Sequence, residues 1–510
     1  MKNNPLLHPL LIAAFPILFL YSHNMGEVSL KDAIAPLIAA VTITSIVWLC
    51  AKLIIKNNEK AGLISFFFII SSFFYGHAYD QLKNYTHNTH QYLLILWVAA
   101  FFAFSVIVVA GFKKWKIQNL TYLLNITSII LVCISISIIS YNEIARKHIT
   151  FKQEIQKGNQ NTTYKPDIYY IILDGYGRAD MLNSLYGYDN GDFLTALEKS
   201  GFYVASRSRS NYSQTTLSLA SSLNFHYLDD LAREIGKDRA SRRYVLELIN
   251  KNNASKFLEQ EDYTYIAFSS VYGRMTTEGA DITISPQFKL SNFDHLVINA
   301  TPIPSILEVF SLKSQYDLHR EQLMHVFQEL PKIATKKEPT FTFAHIIAPH
   351  PPFVFNADGN PIQPANRLFS FWDASGFWEI GGTRDEYRTN YINQLVLINK
   401  KLQATVENII SLSPNPPIIV LQADHGPGSQ VYFENPDKTN FKERMSIFNA
   451  YYLPSGGSEK LYREITPANT FRLIFNYYFG TNYELLEDKS YYSTYSRPYD
   501  FMDVTNNVSD

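Results

Sequence analysis

Cysteine is almost missing from this chain. There are two in 510 residues, Cys50 and Cys133, and both lie inside apolar runs. That scarcity argues against a disulfide framework and against a cysteine-based metal centre. An excess of one charge is missing as well. Lysine and arginine number 45 against 46 aspartate and glutamate, a formal net charge of −1, so no bulk electrostatic attraction to nucleic acid is built in. No internal repeat is evident. A chain this long exceeds one typical domain and predicts two or three.

What is present is unevenly spread. The first third is strongly apolar, and the remainder is polar and rich in Tyr, Asn and Ser. Five apolar segments stand at about 5–22, 34–55, 62–78, 91–112 and 119–140, each near the roughly 20 residues that span a bilayer core, the first and third being short. A cleaved signal peptide would show one such run and a small-residue cleavage site, so that reading fails. Lys2, Lys52, Lys56, Lys60, Lys113, Lys114 and Lys116 alternate in position with Lys31 and Lys83. By the positive-inside bias, the amino terminus and the loops near 56–60 and 113–116 are cytoplasmic. Five crossings then place everything beyond about residue 141 outside. The expected organisation is a five-helix transmembrane domain over 1–141, a polar linker over 142–163 and an extracytoplasmic catalytic domain over 164–510.

The polar two thirds alternate strand-like and helix-like patterns. A β-branched and aromatic run at 168–173 ends in Asp174-Gly175-Tyr176-Gly177 and predicts a central strand. A second run at 417–421 ends in Gln422-Ala423-Asp424-His425-Gly426. Strands are also expected near 202–205, 263–268, 340–347 and 445–453, and helices at 192–200, 243–250, 254–260, 315–333, 384–412 and 467–479. The 384–412 helix carries Tyr391, Leu395, Ile398, Leu402 and Val406 on one stripe. Residues 270–312 fit no clear period and are expected to be an insertion shaping the substrate side; the Tyr-rich tail 490–510 reads as loop. Repeated strand–helix–strand order with apolar strands predicts an α/β fold with a central, mostly parallel sheet.

Sites in such sheets lie just past strand carboxyl ends. Two strands ending in Asp174 and in Asp424-His425 therefore offer two carboxylates and an imidazole to one cation. The stretch Asn211-Tyr212-Ser213-Gln214-Thr215-Thr216-Leu217-Ser218 predicts a helix amino terminus, with Ser213, Thr215 and Thr216 as candidate caps. The same geometry suits an anion such as phosphate or sulfate. The strand at 340–347 ends in Ala348-Pro349-His350-Pro351-Pro352-Phe353, and His345 within it reads as a satisfied strand histidine. A hydroxyl beside a cation site is the parts list of a metal-activated alkoxide nucleophile.

In this order along the chain, the motifs resemble the alkaline phosphatase superfamily over about 165–480. Within it they are similar to the membrane-anchored branch of lipoteichoic acid synthases and lipid A phosphoethanolamine transferases, which also carry an extracytoplasmic sulfatase-like domain behind transmembrane helices. The resemblance makes Thr215, in Thr215-Thr216-Leu217-Ser218, the nucleophile, with Thr216 and then Ser213 as its neighbours. It makes Asp174, Thr215, Asp424 and His425 the ligands of one divalent metal, Zn²⁺ in preference to Mn²⁺, and His350 a phosphate-contacting group or general acid. It implies a transferase moving a phosphoethanolamine- or phosphoglycerol-type substituent from a phospholipid donor to an envelope glycan or lipid acceptor, embedded in a bacterial inner membrane. A phosphodiesterase or phosphatase with the same core, and a non-catalytic membrane protein keeping the fold, are the alternatives. Two features depart from the phosphoethanolamine transferases: no histidine follows Asp424-His425 within 426–440, where Arg444 and Asn449 are candidate replacements, and their stapling cysteines are missing. The sequence argues against a formylglycine sulfatase, since the soluble part holds no cysteine and no arginine follows Thr215 at that signature's spacing.

Overall fold

The computed structural model describes residues 6–83, 85, 89–111, 114–144, 155–158, 165–270, 279–364 and 367–508. Two compact units divide the chain. One comprises Met1–His148, Leu290–Asp317 and Pro364–Phe369; the other comprises Ile149–Lys289, Leu318–Gln363 and Ser370–Asp510. Most of the expected linker, 145–154 and 159–164, lies outside the described residues.

The first unit is built on α1 (His8–Asn24), α2 (Leu30–Ile55), α3 (Asn58–Leu82), α4 (Thr89–Gly111) and α5 (Lys114–Ile144). Their ends are set locally. Ser29 and Asp32 form a capping box that opens α2, and the Asn57 side chain accepts from the Lys60 N–H at the start of α3. Within the helices, Thr44, Ser65 and Ser72 return their hydroxyls to carbonyls four residues back, which satisfies these three polar groups inside the helix itself. Four helices, α2 to α5, are long and apolar enough to cross a membrane. The third segment, expected to be short, is a 25-residue helix, because Asn58, Glu59, Lys60 and His77 to Leu82 extend it in polar residues that hydropathy discounts. The first, α1, has 17 residues. It lies inside the bundle, with Ile12, Ala13, Ile17 and Tyr21 at most 3% exposed. By contrast α2, α4 and α5 turn side chains such as Ile54, Phe102 and Ile130 outward, as lipid-facing helices do.

The segment expected to shape the substrate side belongs partly to this bundle. Helices Asn292–Asn299 and Ile303–Val309 are held there by Phe293, buried with Tyr21 and Met25, and by Ser305. The Ser305 hydroxyl lies 2.8 Å from the Tyr75 hydroxyl and 2.6 Å from His90 Nδ1. Gly76 permits the approach: a Cβ there would stand 2.2 Å from the Asn299 carbonyl oxygen.

The second unit is organised on one seven-stranded sheet. Its strands are β1 (Ile168–Leu173), β2 (Tyr203–Val204), β3 (Thr264–Phe268), β4 (Ile282–Ile284), β5 (Thr340–Ile346), β6 (Ile418–Gln422) and β7 (Asn449–Tyr452), in the order β2-β7-β6-β1-β5-β3-β4. From β6 to β4 every pairing is parallel; β7 and β2 add antiparallel strands at one edge. The three central strands, β6, β1 and β5, are buried along their whole length, which is why they read as unbroken apolar runs. Helices form at Gly191–Lys199, Arg243–Asn250, Asn253–Gln260, Gln315–Ile333, Arg384–Leu412 and Pro467–Phe479. One sheet face packs Ile168, Tyr170 and Ile172 against Leu219, Leu223, Phe257, Phe471 and Phe475. The tail is not plain loop: Tyr491–Tyr492 and Met502–Asp503 pair as two short antiparallel strands, and Thr505–Val508 is a helical turn.

Register aligns the strand ends that matter. Leu173 of β1 pairs with Ile346 of β5, and Ile172 pairs with Gln422 of β6. The residues immediately beyond, Asp174, the 347–353 turn and Asp424-His425, therefore emerge at one edge of the sheet.

Candidate active site

Asp174 and Asp424 are fully buried and His425 is 1% exposed. One ligand atom from each lies within 4.8 Å of the others. Oδ1 of Asp174 and Oδ2 of Asp424 have no hydrogen-bond partner, although they lie 3.5 Å and 3.3 Å from His425 Nε2. Unpaired buried carboxylate oxygens are costly unless a cation takes them. The imidazole is prepared for the same role. Its Nδ1–H donates to the Gly426 carbonyl at 2.9 Å, which leaves the Nε2 lone pair facing the carboxylates. Burial, with the Arg444 guanidinium beside it, lowers the His425 pKa to about 4, so the ring is neutral. Two oxygens and one nitrogen in this arrangement fit a divalent cation of the Zn²⁺ or Mn²⁺ kind.

The glycine after the pair is required by packing. A Cβ on Gly426 would stand 2.1 Å from the Glu443 carbonyl oxygen, and the Gly426 N–H donates to Arg444 O at 2.7 Å. That approach draws the 440–446 segment against the end of β6. Glu443 fixes the loop between them, accepting from the Ser429 N–H and hydroxyl and from the Gln430 N–H.

Thr215 is the first residue of the helix Thr215–Leu223. Its Oγ1 lies 3.1 Å from His425 Nε2, so among Ser213, Thr215 and Thr216 it is Thr215 that reaches the His425 imidazole. The Ser213 and Thr216 hydroxyls are buried without hydrogen-bond partners. None of the three caps the helix, contrary to the sequence expectation. The cap position falls on Gln214, and no side chain accepts there, because Gln214 turns its amide to Ser493, Thr494 and Arg242. The uncapped first turn directs N–H groups toward the site.

His350 and His345 reach Asp174 from β5 and the turn after it. His345 Nε2 donates to Asp174 Oδ2 at 3.1 Å, so this histidine, expected to be a satisfied strand residue, orients the carboxylate. His350 stands with Nε2 4.0 Å from Asp174 Oδ1 and 3.9 Å from Asp373 Oδ2. Its Nδ1–H donates to the Pro351 carbonyl at 2.5 Å, and its backbone carbonyl is held by Gln394 Nε2. Burial opposes its charged form, but Asp174 and Asp373 outweigh that and raise its pKa.

Two residues at the site were not assigned a place there from sequence. Asp373 lies in an irregular stretch that no strand or helix period marks. Arg444, raised only as a candidate replacement for a missing histidine, is 2% exposed and reaches Asp373 Oδ2 at 2.7 Å and His425 Nε2 at 3.1 Å. Burial opposes ionisation of Asp373, yet His350 and Arg444 hold its carboxyl well below the usual carboxylate range. Asn449, the other candidate replacement, is turned away: its amide serves Ser208, Tyr451 and Ile465. The long helix Arg384–Leu412 staples these loops through two tyrosines one turn apart. The Tyr391 hydroxyl donates to Gly175 O and accepts from Gly177 N–H, and the Tyr387 hydroxyl donates to Asp373 Oδ1 and accepts from Gly428 N–H.

No family model matches the chain, and no curated protein matches it. Solved structures do. The chain is similar to the zinc complex of the C-terminal periplasmic domain of EptC from Escherichia coli, at 12% identity and a TM-score of 0.44, covering 69% of this chain and 96% of that one. It is similar to the phosphonate monoester hydrolase of Agrobacterium radiobacter, at 13% identity and a TM-score of 0.42, covering 64% and 80%. With the integral membrane lipooligosaccharide phosphoethanolamine transferase A from Neisseria meningitidis, likeness runs over both units, covering 91% of this chain and 94% of that one at 10% identity and a TM-score of 0.39. Likeness at this distance decides nothing about the reaction here, which rests on the side chains themselves.

Proposed function

We propose that this chain is a membrane-anchored, cation-dependent transferase. It would move a phospho-substituent of the phosphoethanolamine or phosphoglycerol type from a phospholipid to an envelope glycan or lipid, through a phospho-threonine at Thr215. The observation carrying this reading is the convergence of a helix-terminal hydroxyl on the orphaned carboxylates, with Thr215 Oγ1 3.1 Å from His425 Nε2. Four apolar helices long enough to cross a membrane support the membrane anchor; with α1 counted as a fifth crossing and the lysines at 52–60 and 113–116 on the cytoplasmic side, this reading has the α/β unit outside a bacterial inner membrane, where both donor and acceptor would lie.

Asp174, Asp424 and His425, joined by Thr215, would hold one divalent cation, Zn²⁺ in preference to Mn²⁺, which supplies positive charge that lowers the hydroxyl pKa and stabilises the attacked phosphoryl group. Thr215 Oγ, its proton released to solvent, attacks phosphorus; the bond from phosphorus to the diacylglycerol oxygen breaks, and His350 gives its Nε2 proton to that oxygen. An acceptor hydroxyl then yields its proton to His350 and attacks, breaking the phosphorus–Oγ bond, and Thr215 Oγ regains its proton from solvent. The N–H groups of the uncapped helix turn face the non-bridging oxygens in both steps.

Full-length protein in micelles, loaded with Zn²⁺ and given phospholipid labelled in the head group, tests this. Label should appear on the Thr215 peptide and then on an added glycan or lipid acceptor; Thr215→Ala should abolish both while Zn²⁺ uptake persists. Free labelled head group alone would make the chain a hydrolase. Unchanged turnover in Thr215→Ala would end the assignment.

A further inference from the structure

We infer that Arg444 is the anion-binding arm of this site, and that binding of a divalent cation releases it onto a tetrahedral oxyanion such as phosphate. The inference deepens the reading above and rests on it for the substrate's chemistry.

A guanidinium has five N–H donors, and four of those on Arg444 are committed. Nε donates to Ser213 O at 2.8 Å. Both Nη1 donors are taken, by Asp373 Oδ2 at 2.7 Å and Gly426 O at 3.2 Å. These three bonds tie the group to Ser213, two residues ahead of Thr215, to Gly426, the residue after His425, and to a carboxylate. Nη2 is different. One of its donors lies on His425 Nε2 at 3.1 Å, and the other has no partner among the described residues.

His425 Nε2 offers a single lone pair, since Nδ1 carries the ring proton. Arg444, Thr215 Oγ1 and a cation cannot all use it. A cation held by Asp174, Asp424 and Nε2 therefore displaces Nη2, and both Nη2 donors are then free beside Thr215. The backbone anchors and the Asp373 pair stop the guanidinium from swinging away, and Asp373 is itself fixed by Tyr387.

Charge counting gives the coupling its sign. Asp174, Asp373 and Asp424 face the Arg444 guanidinium and the His350 imidazole, a surplus of two negative charges with His350 neutral and of one with it protonated, which repels phosphate and which a divalent cation cancels. Cation and oxyanion must then favour each other, by the same factor in both directions. Asp373 is not a fourth cation ligand in this scheme, because Tyr387 and Arg444 already occupy its two oxygens.

Calorimetric titration of full-length protein in micelles with inorganic phosphate tests the inference. Metal-free protein should bind no measurable phosphate, Zn²⁺-loaded protein should bind it, and phosphate should tighten Zn²⁺ by the reciprocal factor. In Arg444→Gln, Zn²⁺ should still bind stoichiometrically while phosphate weakens by on the order of tenfold to a hundredfold, as for loss of a charged hydrogen bond; Arg444→Lys should fall between. Equal phosphate affinity with and without Zn²⁺ in the wild-type protein, a measurement that needs no variant to fold, overturns the inference. So does unchanged phosphate affinity in Arg444→Gln, or loss of its Zn²⁺ site. The wild-type protein separates the two readings: phosphate–Zn²⁺ coupling without any labelled phospho-threonine upholds this inference and ends the assignment above, whereas a labelled phospho-threonine without coupling does the reverse.

Discussion

The half of the site proposed to face a cation and the half proposed to face an anion are built by different means. Asp174, Asp424 and His425 sit one to three residues past the ends of β1 and β6, where parallel pairing on both sides of β1 fixes their positions. Two of their carboxylate oxygens are left without hydrogen-bond partners. His350 and Asp373 come from irregular chain and Arg444 from the five-residue helix Phe441–Met445, and they are held instead by many specific bonds from Gln394, Tyr387, Ser213 and Gly426. Rigid elements thus carry the groups that must stay undersatisfied, and a dense polar network carries the groups that must be aimed. The helix Arg384–Leu412 serves both halves, with Tyr391 on the β1 turn and Tyr387 on Asp373.

That contrast can be broken in graded ways. The largest effect is expected on the strand-borne half: Asp424→Asn should remove stoichiometric Zn²⁺ by elemental analysis and reduce turnover by on the order of 10³-fold or more, the scale of losing a principal electrostatic group. Retained metal in that variant would break the division. Next, His350→Gln should keep Zn²⁺ and lose roughly 10²–10⁴-fold in turnover, as for removal of a general acid. Metal loss here would move His350 into the other half. Gly426→Ala forces a Cβ against the Glu443 carbonyl, and thermal unfolding should show about 1–3 kcal/mol of destabilisation, with both halves weakened because this glycine joins them. The smallest change is Tyr387→Phe, which should leave Zn²⁺ affinity alone and weaken phosphate by roughly tenfold through a loosened Asp373.

Legibility from sequence follows the same line. β1, β5 and β6 are buried on both faces, so each appears as an apolar run, and the polar residue ending each run marks the site; Asp174, His350 and Asp424-His425 are all found this way. The Arg384–Leu412 helix is legible for the related reason that one stripe faces the core, with Tyr391, Leu395, Ile398, Leu402 and Val406 all buried. Asp373 has no such signal. It is positioned by contacts with residues 14 and 71 positions away, which local patterning does not carry. The helix start at Thr215 was legible and its cap was not, because Gln214 is drawn off by Ser493, Thr494 and Arg242, far along the chain. Residues 290–317 escaped for a third reason: their short helices bury Phe293 and Ser305 against other helices, a demand their own period barely records.

That last attachment has a practical consequence. Because Leu290–Asp317 and Pro364–Phe369 are packed into the helical unit, severing the backbone within 145–154 would not give two independent pieces. The carboxyl-terminal piece would stay fastened to the amino-terminal one through Phe293 and through the hydrogen bonds of Ser305 to Tyr75 and His90. A fragment starting at residue 165 would carry those side chains into water without their partners, and detergent or removal of the 290–317 segment would be needed to keep it in solution.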